Sequence, residues 1–183
     1  MTALWLFLAV LGAPILHAPV LRWNLLPALA RPLDGGRLWR GRRMLGDNKT
    51  WRGALCMTAG VVLATVVLWR WGWWRDQLPG AVRASSPVLV GLLVGLGTVG
   101  GELPNSFLKR RLDIAPGSRR SSAGGVALAL LDQGDLVLGI WVALLPIWTM
   151  PVWLAAIAFA AISAIHAAIN VIGYAIGARA APV

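Results

Sequence analysis

Five long apolar runs, separated by short polar loops, constrain most strongly what this chain can fold into. They cover approximately residues 4–29, 53–71, 87–108, 124–146 and 151–178 of a 183-residue sequence that is 58% apolar. A helix of about 20 apolar residues crosses the hydrocarbon core of a bilayer. The runs are continuous, whereas membrane β-strands alternate apolar and polar residues. The sequence therefore predicts an all-α integral membrane protein, a single domain with about five transmembrane helices.

The charge distribution predicts how these helices are oriented. The net charge is +10, and basic residues concentrate in a first loop, residues 30–52, and a second loop, residues 109–123. Basic loops stay on the cytoplasmic side, which predicts an outside N-terminus, a cytoplasmic C-terminus and a location in the cytoplasmic (inner) membrane. Topology and anionic lipids account for the charge, so no nucleic-acid partner is predicted. The sequence leaves the oligomeric state unknown.

Glycine and tryptophan patterns predict helix packing and the membrane interface. Gly91 with Gly95, and Gly97 with Gly101, have the GxxxG spacing that lets membrane helices approach closely. The tryptophans after the second apolar run predict an interfacial aromatic belt. They are Trp69, Trp71, Trp73 and Trp74.

Polar residues interrupt three of the apolar runs at similar depth. In each run they share one helical face: Glu102, Asn105, Ser106 and Lys109 in the third, Asp132 and Asp135 in the fourth, His166 and Asn170 in the fifth. At about 1.5 Å per residue, these sets lie on the order of 10–20 Å from the basic side. Because polar residues in membrane helices face the bundle interior or water, we predict a polar cavity that opens to the cytoplasm.

The residue types in this cavity favour chemistry on phosphates. Asp132 and Asp135 are one helical turn apart and suit Mg²⁺, whose shell substrate phosphates can complete. Only two of the 17 basic residues are lysines, Lys49 and Lys109, and both lie in the polar motifs. Lysine and arginine there suit phosphate oxygens. Enzymes of phosphoryl or nucleotidyl transfer commonly combine a metal ion with Lys or Arg side chains that neutralise the phosphate charge.

The same residues also have structural interpretations. The arginines of the two loops can serve only as topology determinants and anionic-lipid anchors. Asp132 can form an ion pair with Lys109 or Arg110, and His166 can form an interhelical hydrogen bond with Asn170. These alternatives remain open from the residues alone.

Four motifs resemble the CDP-archaeol synthase (CarS-like) family, which is related to the CDP-diacylglycerol synthases. They are GDNKTWRG at 46–53, ELPNSFLKRRL at 102–112 with PG at 116–117, LDQGD at 131–135 and HAAIN at 166–170. Their order and spacing match across most of the chain from the first loop onward. SFLKRR followed by an acid pair also resembles the signature of bacterial CDP-diacylglycerol synthases.

The resemblance implies a magnesium-dependent cytidylyltransferase that works on the cytoplasmic face of the membrane. Such an enzyme transfers CMP from CTP to a membrane lipid phosphate, an isoprenoid- or acyl-glycerol phosphate. The phosphate of the lipid attacks the α-phosphorus of CTP, and the products are a CDP-lipid and pyrophosphate. No covalent nucleophile is required, and none is evident in the motifs.

The resemblance also implies roles for individual residues. Asp132 and Asp135 would hold Mg²⁺. Lys109, Arg110 and Arg111 would neutralise the triphosphate, while Ser106 and Asn105 would donate hydrogen bonds. Residues of the first loop would cover the nucleotide or grip the lipid phosphate: Asp47, Asn48, Lys49, Thr50 and Arg52. The helix end from Glu102 to Arg111 would grip phosphate, and the remaining walls of the site would come from the first loop and from His166 and Asn170.

Two other functions compete with this one at the level of sequence. Asp34, Gly35, Gly36 and Arg37 resemble the start of the CDP-alcohol phosphotransferase motif, but its alanine-arginine and its spaced downstream acids are absent. Acids and a histidine inside a membrane also suit a non-enzymatic ion or proton transporter, although the chain shows no internal repeat. The sequence contains no P-loop and no GxSxG pattern.

Overall fold

The computed structural model describes the backbone of residues 2–114 and 123–175, and the side chains of residues 4–114 and 134–164. A 3₁₀ segment, Thr2–Leu11, leads into α1 (Gly12–Arg22). The first loop carries the short strands β1 (Leu38–Trp39) and β2 (Arg42–Arg43). The helices that follow are α2 (Trp51–Trp69), α3 (Gly72–Asp76), α4 (Gly80–Arg83), α5 (Pro87–Arg111), α6 (Ala123–Leu144) and α7 (Val152–Ala175).

Three helical stretches among the described residues are long and apolar enough to cross a bilayer. They are Leu4–Arg22, Trp51–Trp69 and Pro87–Arg111. Helices α6 and α7 have 22 and 24 residues, with shorter described apolar stretches at Gly134–Leu144 and Val152–Ala164. The mainly helical, membrane-protein character predicted from the sequence is confirmed, while the five spans and their orientation remain predictions.

The first apolar run becomes a shorter helix than the predicted segment, which extended to residue 29. Helix α1 ends at Arg22, and the chain then turns through Asn24 and Leu26, whose φ angles of 46° and 55° are left-handed. Arg52, at the start of α2, donates to Asn24 Oδ1 at 2.7 Å and to the Leu25 carbonyl at 3.2 Å. Asn24 therefore lies after the end of α1 and accepts a hydrogen bond from the first turn of α2.

The third run becomes a longer helix than predicted. Helix α5 continues to Arg111 with Pro104 inside it, whereas the predicted span ended at residue 108. Lys109, Arg110 and Arg111 consequently form the last helical turn, where cations interact favourably with the negative end of the helix dipole.

Glycines determine how closely the long helices pack, with α5 between α2 and α6. A Cβ atom added at Gly91 would lie 2.7 Å from the Cα atom of Val62 on α2, and one added at Gly97 would lie 2.6 Å from the Cα atom of Ile140 on α6. No side chain fits at such distances. The prediction that the two GxxxG pairs allow close helix approach is confirmed, with one pair facing each neighbour.

The first loop contains a β-hairpin that the all-α prediction missed. Leu38 pairs with Arg43 and Trp39 with Arg42 in antiparallel register. Arg40 and Gly41 form the turn between them, with φ angles of 51° and 75°. Two successive left-handed residues are typical of a type I′ turn, whose twist suits a two-residue hairpin. Strands of two residues are too short to leave a periodic pattern in the sequence.

The tryptophan cluster divides between the core and the surface. Trp74 is completely buried, and its indole N–H donates to the Trp5 carbonyl at 2.9 Å. Trp71 and Trp73 are exposed and stack with ring centroids 6.2 Å apart. The interfacial belt predicted from all four tryptophans is therefore wrong for Trp74, which packs against the N-terminal segment.

Candidate active site

The first loop contacts helix α5 through an ion pair between two predicted site residues. The Lys49 ammonium donates to the Glu102 carboxylate, and both side chains are partly buried. Lys49 is carried by the GDNKT turn, in which its backbone N–H donates to the Gly46 carbonyl at 3.3 Å. The pair brings the one lysine of the first loop to the first residue of the ELPNSFLKRRL motif on α5.

One turn further along α5, a second pair connects that helix to α6. The Asn105 side-chain amide donates to Asp135 Oδ2 at 3.1 Å, and both residues are buried. The helices meet directly here, since a Cβ atom at Gly101 would lie 2.9 Å from the Asp135 carbonyl carbon. The glycine backbone of α5 therefore fixes the position of the carboxylate-bearing turn of α6.

A mainly apolar groove of about 570 Å³ runs between α5 and α6 and ends at this second pair. Asn105 and Asp135 form its polar end. Its other residues include Leu96, Leu138 and Val142, all exposed at the surface that the apolar helices would present to lipid. We call this feature the α5–α6 groove. Its floor includes Gly100, where an added Cβ atom would meet nothing within 4 Å.

Arg43 of β2 holds the first loop together through two carboxylates. Its guanidinium lies 3.0 Å from Asp34 Oδ1 and 2.7 Å from Asp47 Oδ1. Asp34 also accepts from the backbone N–H groups of Gly36 and Leu45, each at 2.9 Å. Burial by itself would raise the pKa of Asp34, but these hydrogen bonds and the Arg43 charge outweigh burial and hold that pKa below its usual value.

Arg111, at the end of α5, is bound to the backbone of the same hairpin. Its terminal nitrogens donate to three carbonyls, those of Trp39, Arg42 at 3.1 Å and Arg43 at 2.7 Å. Its guanidinium also lies 5.0 Å from the Phe107 ring centroid. In the reverse direction, Arg42 donates to the Arg111 carbonyl and pairs with Asp113 at 2.6 Å.

The other predicted residues of the first loop have mixed positions. Thr50 caps α2, because its hydroxyl accepts from the Gly53 N–H at 3.1 Å, and Arg52 contacts the end of the first span. Asn48 and Arg110 both border Gly46, where an added Cβ atom would lie 3.2 Å from Asn48 Oδ1 and 3.5 Å from Arg110 Nε. The GDNKT turn therefore lies beside the last turn of α5.

The predicted site residues on α5, α6 and α7 are described only in part. Ser106 and Lys109 lie on α5, whereas the side chains of Asp132, His166 and Asn170 lie outside the described residues. Within the described residues, no group of three or more His, Cys, Asp or Glu could hold a metal ion. Asp135 is a buried carboxylate beside the amide of Asn105. Its oxygens fit Mg²⁺ as ligands, because this ion usually binds through one or two carboxylates and substrate phosphates.

Sequence reasoning missed two residues that organise this region. Asp34 was noticed only for its resemblance to another enzyme motif, and Arg43 was one of several loop arginines. The Asp-Gly-Gly sequence is a usable signal, because aspartate side chains commonly accept hydrogen bonds from backbone groups two residues on in tight turns. Nothing in the local sequence distinguishes Arg43 from the other basic residues of the loop, because the folded hairpin brings its partners Asp34 and Asp47 to it.

Comparisons of the sequence with family profiles and with curated proteins indicate the same family. The sequence profile of the CarS-like family, described as CDP-archaeol synthase, matches residues 10–183. The chain is 37% identical to a CDP-archaeol synthase of Methanosphaerula palustris over 82% of this chain and 89% of the relative. It is 34% identical to that of Halobacterium salinarum over 87% and 93% of the two chains.

A solved structure agrees with the same relationship. It is described as an intramembrane enzyme for archaeal membrane lipid biosynthesis, and it matches with a TM-score of 0.66 and 29% identity over 92% of each chain. The predicted resemblance is thus confirmed, and the transferase, lipid-biosynthesis and membrane character predicted with it is supported. On its four motifs, its fold and its near full-length relatives, this chain belongs to the CarS-like family of CDP-archaeol synthases, a family of membrane enzymes.

Proposed function

We propose that this protein transfers CMP from CTP to a membrane lipid phosphate, releasing pyrophosphate. One observation carries the proposal: the buried pair of Asn105 and Asp135 forms the polar end of an apolar groove. Along α5 this pair is about one helical turn from both the Lys49–Glu102 ion pair and Lys109. Such a junction suits a reaction between a charged, water-soluble substrate and an amphipathic one. The names of the relatives make isoprenoid ether glycerol phosphates the first candidates for the lipid.

The proposed reaction needs positioning and charge neutralisation more than bond-forming side chains. A phosphate oxygen of the lipid attacks the α-phosphorus of CTP and forms a new P–O bond. The bond from the α-phosphorus to the bridging oxygen of the β-phosphate breaks, and both electrons of that bond leave with pyrophosphate. Phosphoryl-type transfers depend mainly on alignment of the reacting groups and stabilisation of spread negative charge.

Three cations border the proposed triphosphate site. Lys109 and Arg110 lie on the last turn of α5, and Lys49 reaches the same helix through Glu102. The Glu102 carboxylate would hold the Lys49 ammonium until phosphate oxygens replace it as the partner. Asp135 with Asp132 would hold Mg²⁺, which when bound would offset the charge of the triphosphate.

The α5–α6 groove would hold part of the lipid. It spans from Leu108 and Asn105 to Leu96 on α5, which is roughly 18 Å of helix at 1.5 Å per residue. That length accommodates a hydrocarbon chain, and burial of each methylene group contributes about 0.8 kcal/mol. A chain lying there would leave the lipid phosphate beside the polar end of the groove. We further propose that this polar end faces the cytoplasm, where CTP is available.

The proposal is tested by measuring whether labelled phosphorus from CTP appears in the lipid or in pyrophosphate. Purified protein in detergent is incubated with Mg²⁺ and CTP labelled at the α- or the γ-phosphorus, with isoprenoid ether or diacyl glycerol phosphates. We expect α-label in the lipid fraction and γ-label in pyrophosphate, with the ether lipid as the better substrate. A lipid that acquires γ-label would identify a kinase instead, and the absence of lipid label with the whole panel would contradict the proposal.

A further inference from the structure

Arg111, at the end of α5 beside the candidate site, is bound by the backbone of the first loop. Arg111 was predicted from the family resemblance to neutralise the triphosphate. Its terminal nitrogens instead donate to the carbonyls of Trp39, Arg42 and Arg43, and its guanidinium lies over Phe107. A guanidinium that already donates to three carbonyls and lies against a ring has little capacity left for phosphate oxygens.

These contacts continue toward Lys49, which is proposed to border the triphosphate site. The hairpin held by Arg111 carries Arg43, whose guanidinium binds Asp47 at 2.7 Å. Asp47 belongs to the GDNKT turn, and two residues later in that turn Lys49 reaches Glu102 on α5. The first loop is thus attached to α5 at two points, by Arg111 at the end of the helix and by Lys49 further back, with Arg43 and Asp47 between them.

We propose that Arg111 is a positioning residue: together with the carbonyls of Trp39, Arg42 and Arg43 it forms a latch that fixes the first loop on α5. Through Arg43 and Asp47, the latch keeps Lys49 and the GDNKT turn beside the last turn of α5. The expected effect on activity rests on the proposed function. The attachment of the loop to α5 does not, and it can be tested without substrate.

The planar fork of arginine explains why another cation would serve poorly. Arginine presents five N–H donors in a fixed plane and can stack on an aromatic ring, whereas lysine carries one flexible ammonium. Arg111→Lys therefore keeps the charge and loses the fork. A residue that only supplies charge to the triphosphate would tolerate that change better than a residue that must bridge three carbonyls.

The first arm of the test measures loop opening by limited trypsin digestion in detergent, without CTP. The susceptible bond follows Arg40 at the exposed tip of the hairpin, and its cleavage requires the loop to open locally. We expect Arg111→Lys and Arg111→Gln to accelerate cleavage there by about tenfold relative to wild type. Arg37→Gln removes an exposed charge from the same loop and is the matched control, with cleavage near the wild-type rate. Unchanged cleavage in both Arg111 variants would overturn the latch.

The second arm is a double-mutant cycle on kcat/KM for CTP with Lys49→Gln. If Arg111 acts through Lys49, the double variant Lys49→Gln with Arg111→Lys has about the activity of Lys49→Gln alone, because coupled residues are not additive. If Arg111 binds the triphosphate directly, the two losses multiply, and that result would overturn the positioning role. Wild-type protein without any turnover would refute the proposed function, and the digestion arm would still decide on the latch.

Discussion

The first loop contacts the end of α5 through charged side chains and backbone carbonyls. Helix α6 instead packs against the middle of α5 at glycine residues, with an apolar groove between the two helices. Where the loop meets the helix, Arg43 of β2 and Arg111 of α5 each bind several oxygen acceptors. Between α5 and α6, Gly97 and Gly101 bring the helices together. Along α5, Asn105 lies between Glu102 and Arg111, two residues through which the first loop contacts this helix. Its partner Asp135 belongs to α6.

In the proposed function, the first loop contributes to binding CTP and the groove binds the lipid. Directional hydrogen bonds to charged groups are short and geometrically specific, which suits the recognition of a triphosphate by a fixed loop. An apolar groove has no directional preference and recognises mainly length and volume. The comparison therefore separates variants that alter the use of CTP from variants that alter the choice of lipid chain.

The largest effect on the groove side is expected from Gly100→Leu. Because a Cβ atom at Gly100 meets nothing within 4 Å, leucine fits the folded protein and occupies the α5–α6 groove. We expect kcat/KM for a long-chain lipid phosphate to fall by about tenfold or more, with little change for a short-chain analogue. Label transfer from CTP to each lipid measures both values.

Gly72→Leu is the matched control for this variant. Gly72 also has open space around it, but it lies at the start of α3 and outside the groove. Its activity should equal that of wild type on both lipids. Equal losses on long and short chains in Gly100→Leu would show that the groove does not hold the chain.

A smaller effect is expected on the loop side, from the protonation of Asp34. The pKa of Asp34 is held below its usual value, so the stability that its carboxylate contributes is complete above the unfolded pKa of about 3.9 and is lost as the pH falls through the lower folded pKa. Hydrogen exchange of the hairpin amides, corrected for intrinsic rates, should show constant protection from pH 5 to 7 and reduced protection below about pH 4.

Asp34→Asn provides the comparison for that measurement. Asparagine cannot carry the charge that Arg43 neutralises, so we expect weaker protection of the hairpin at pH 6, by about tenfold or less, and no further loss near pH 4. A wild-type hairpin whose protection does not change below pH 4 would contradict the role given to the Asp34 carboxylate.

The sequence predicted the parts of this structure that have regular patterns. Apolar runs of helical length predicted the helices, and the spacing of Gly91, Gly95, Gly97 and Gly101 predicted their close packing. The motif residues Lys49, Glu102, Asn105 and Asp135 were all identified. Their pairing was not, because a side chain on one face of α5 can meet either the first loop or α6, and only the packed structure decides which.

The hairpin and the latch could not be read from the sequence for a physical reason. The hairpin has two residues in each strand and depends on a left-handed Arg40 that is not a favoured residue for that conformation. Arg111, which binds its carbonyls, is 68 to 72 residues away from them in the sequence. Contacts of such long range follow from the complete fold and leave no local pattern.

In the proposed function, the buried carboxylate of Asp135 lies at the centre of the cytidylyltransferase site. Asp135→Asn is nearly isosteric and keeps an oxygen that can accept the hydrogen bond from Asn105. Asp76→Asn is the matched control, since Asp76 is exposed and lies on α3 outside the candidate site. The measurement is transfer of α-label from CTP to lipid phosphate by each variant, with both first shown to be folded in detergent. We expect transfer to fall by about a hundredfold or more in Asp135→Asn and to stay at the wild-type level in Asp76→Asn. Near-normal transfer by Asp135→Asn would contradict the role proposed for this carboxylate.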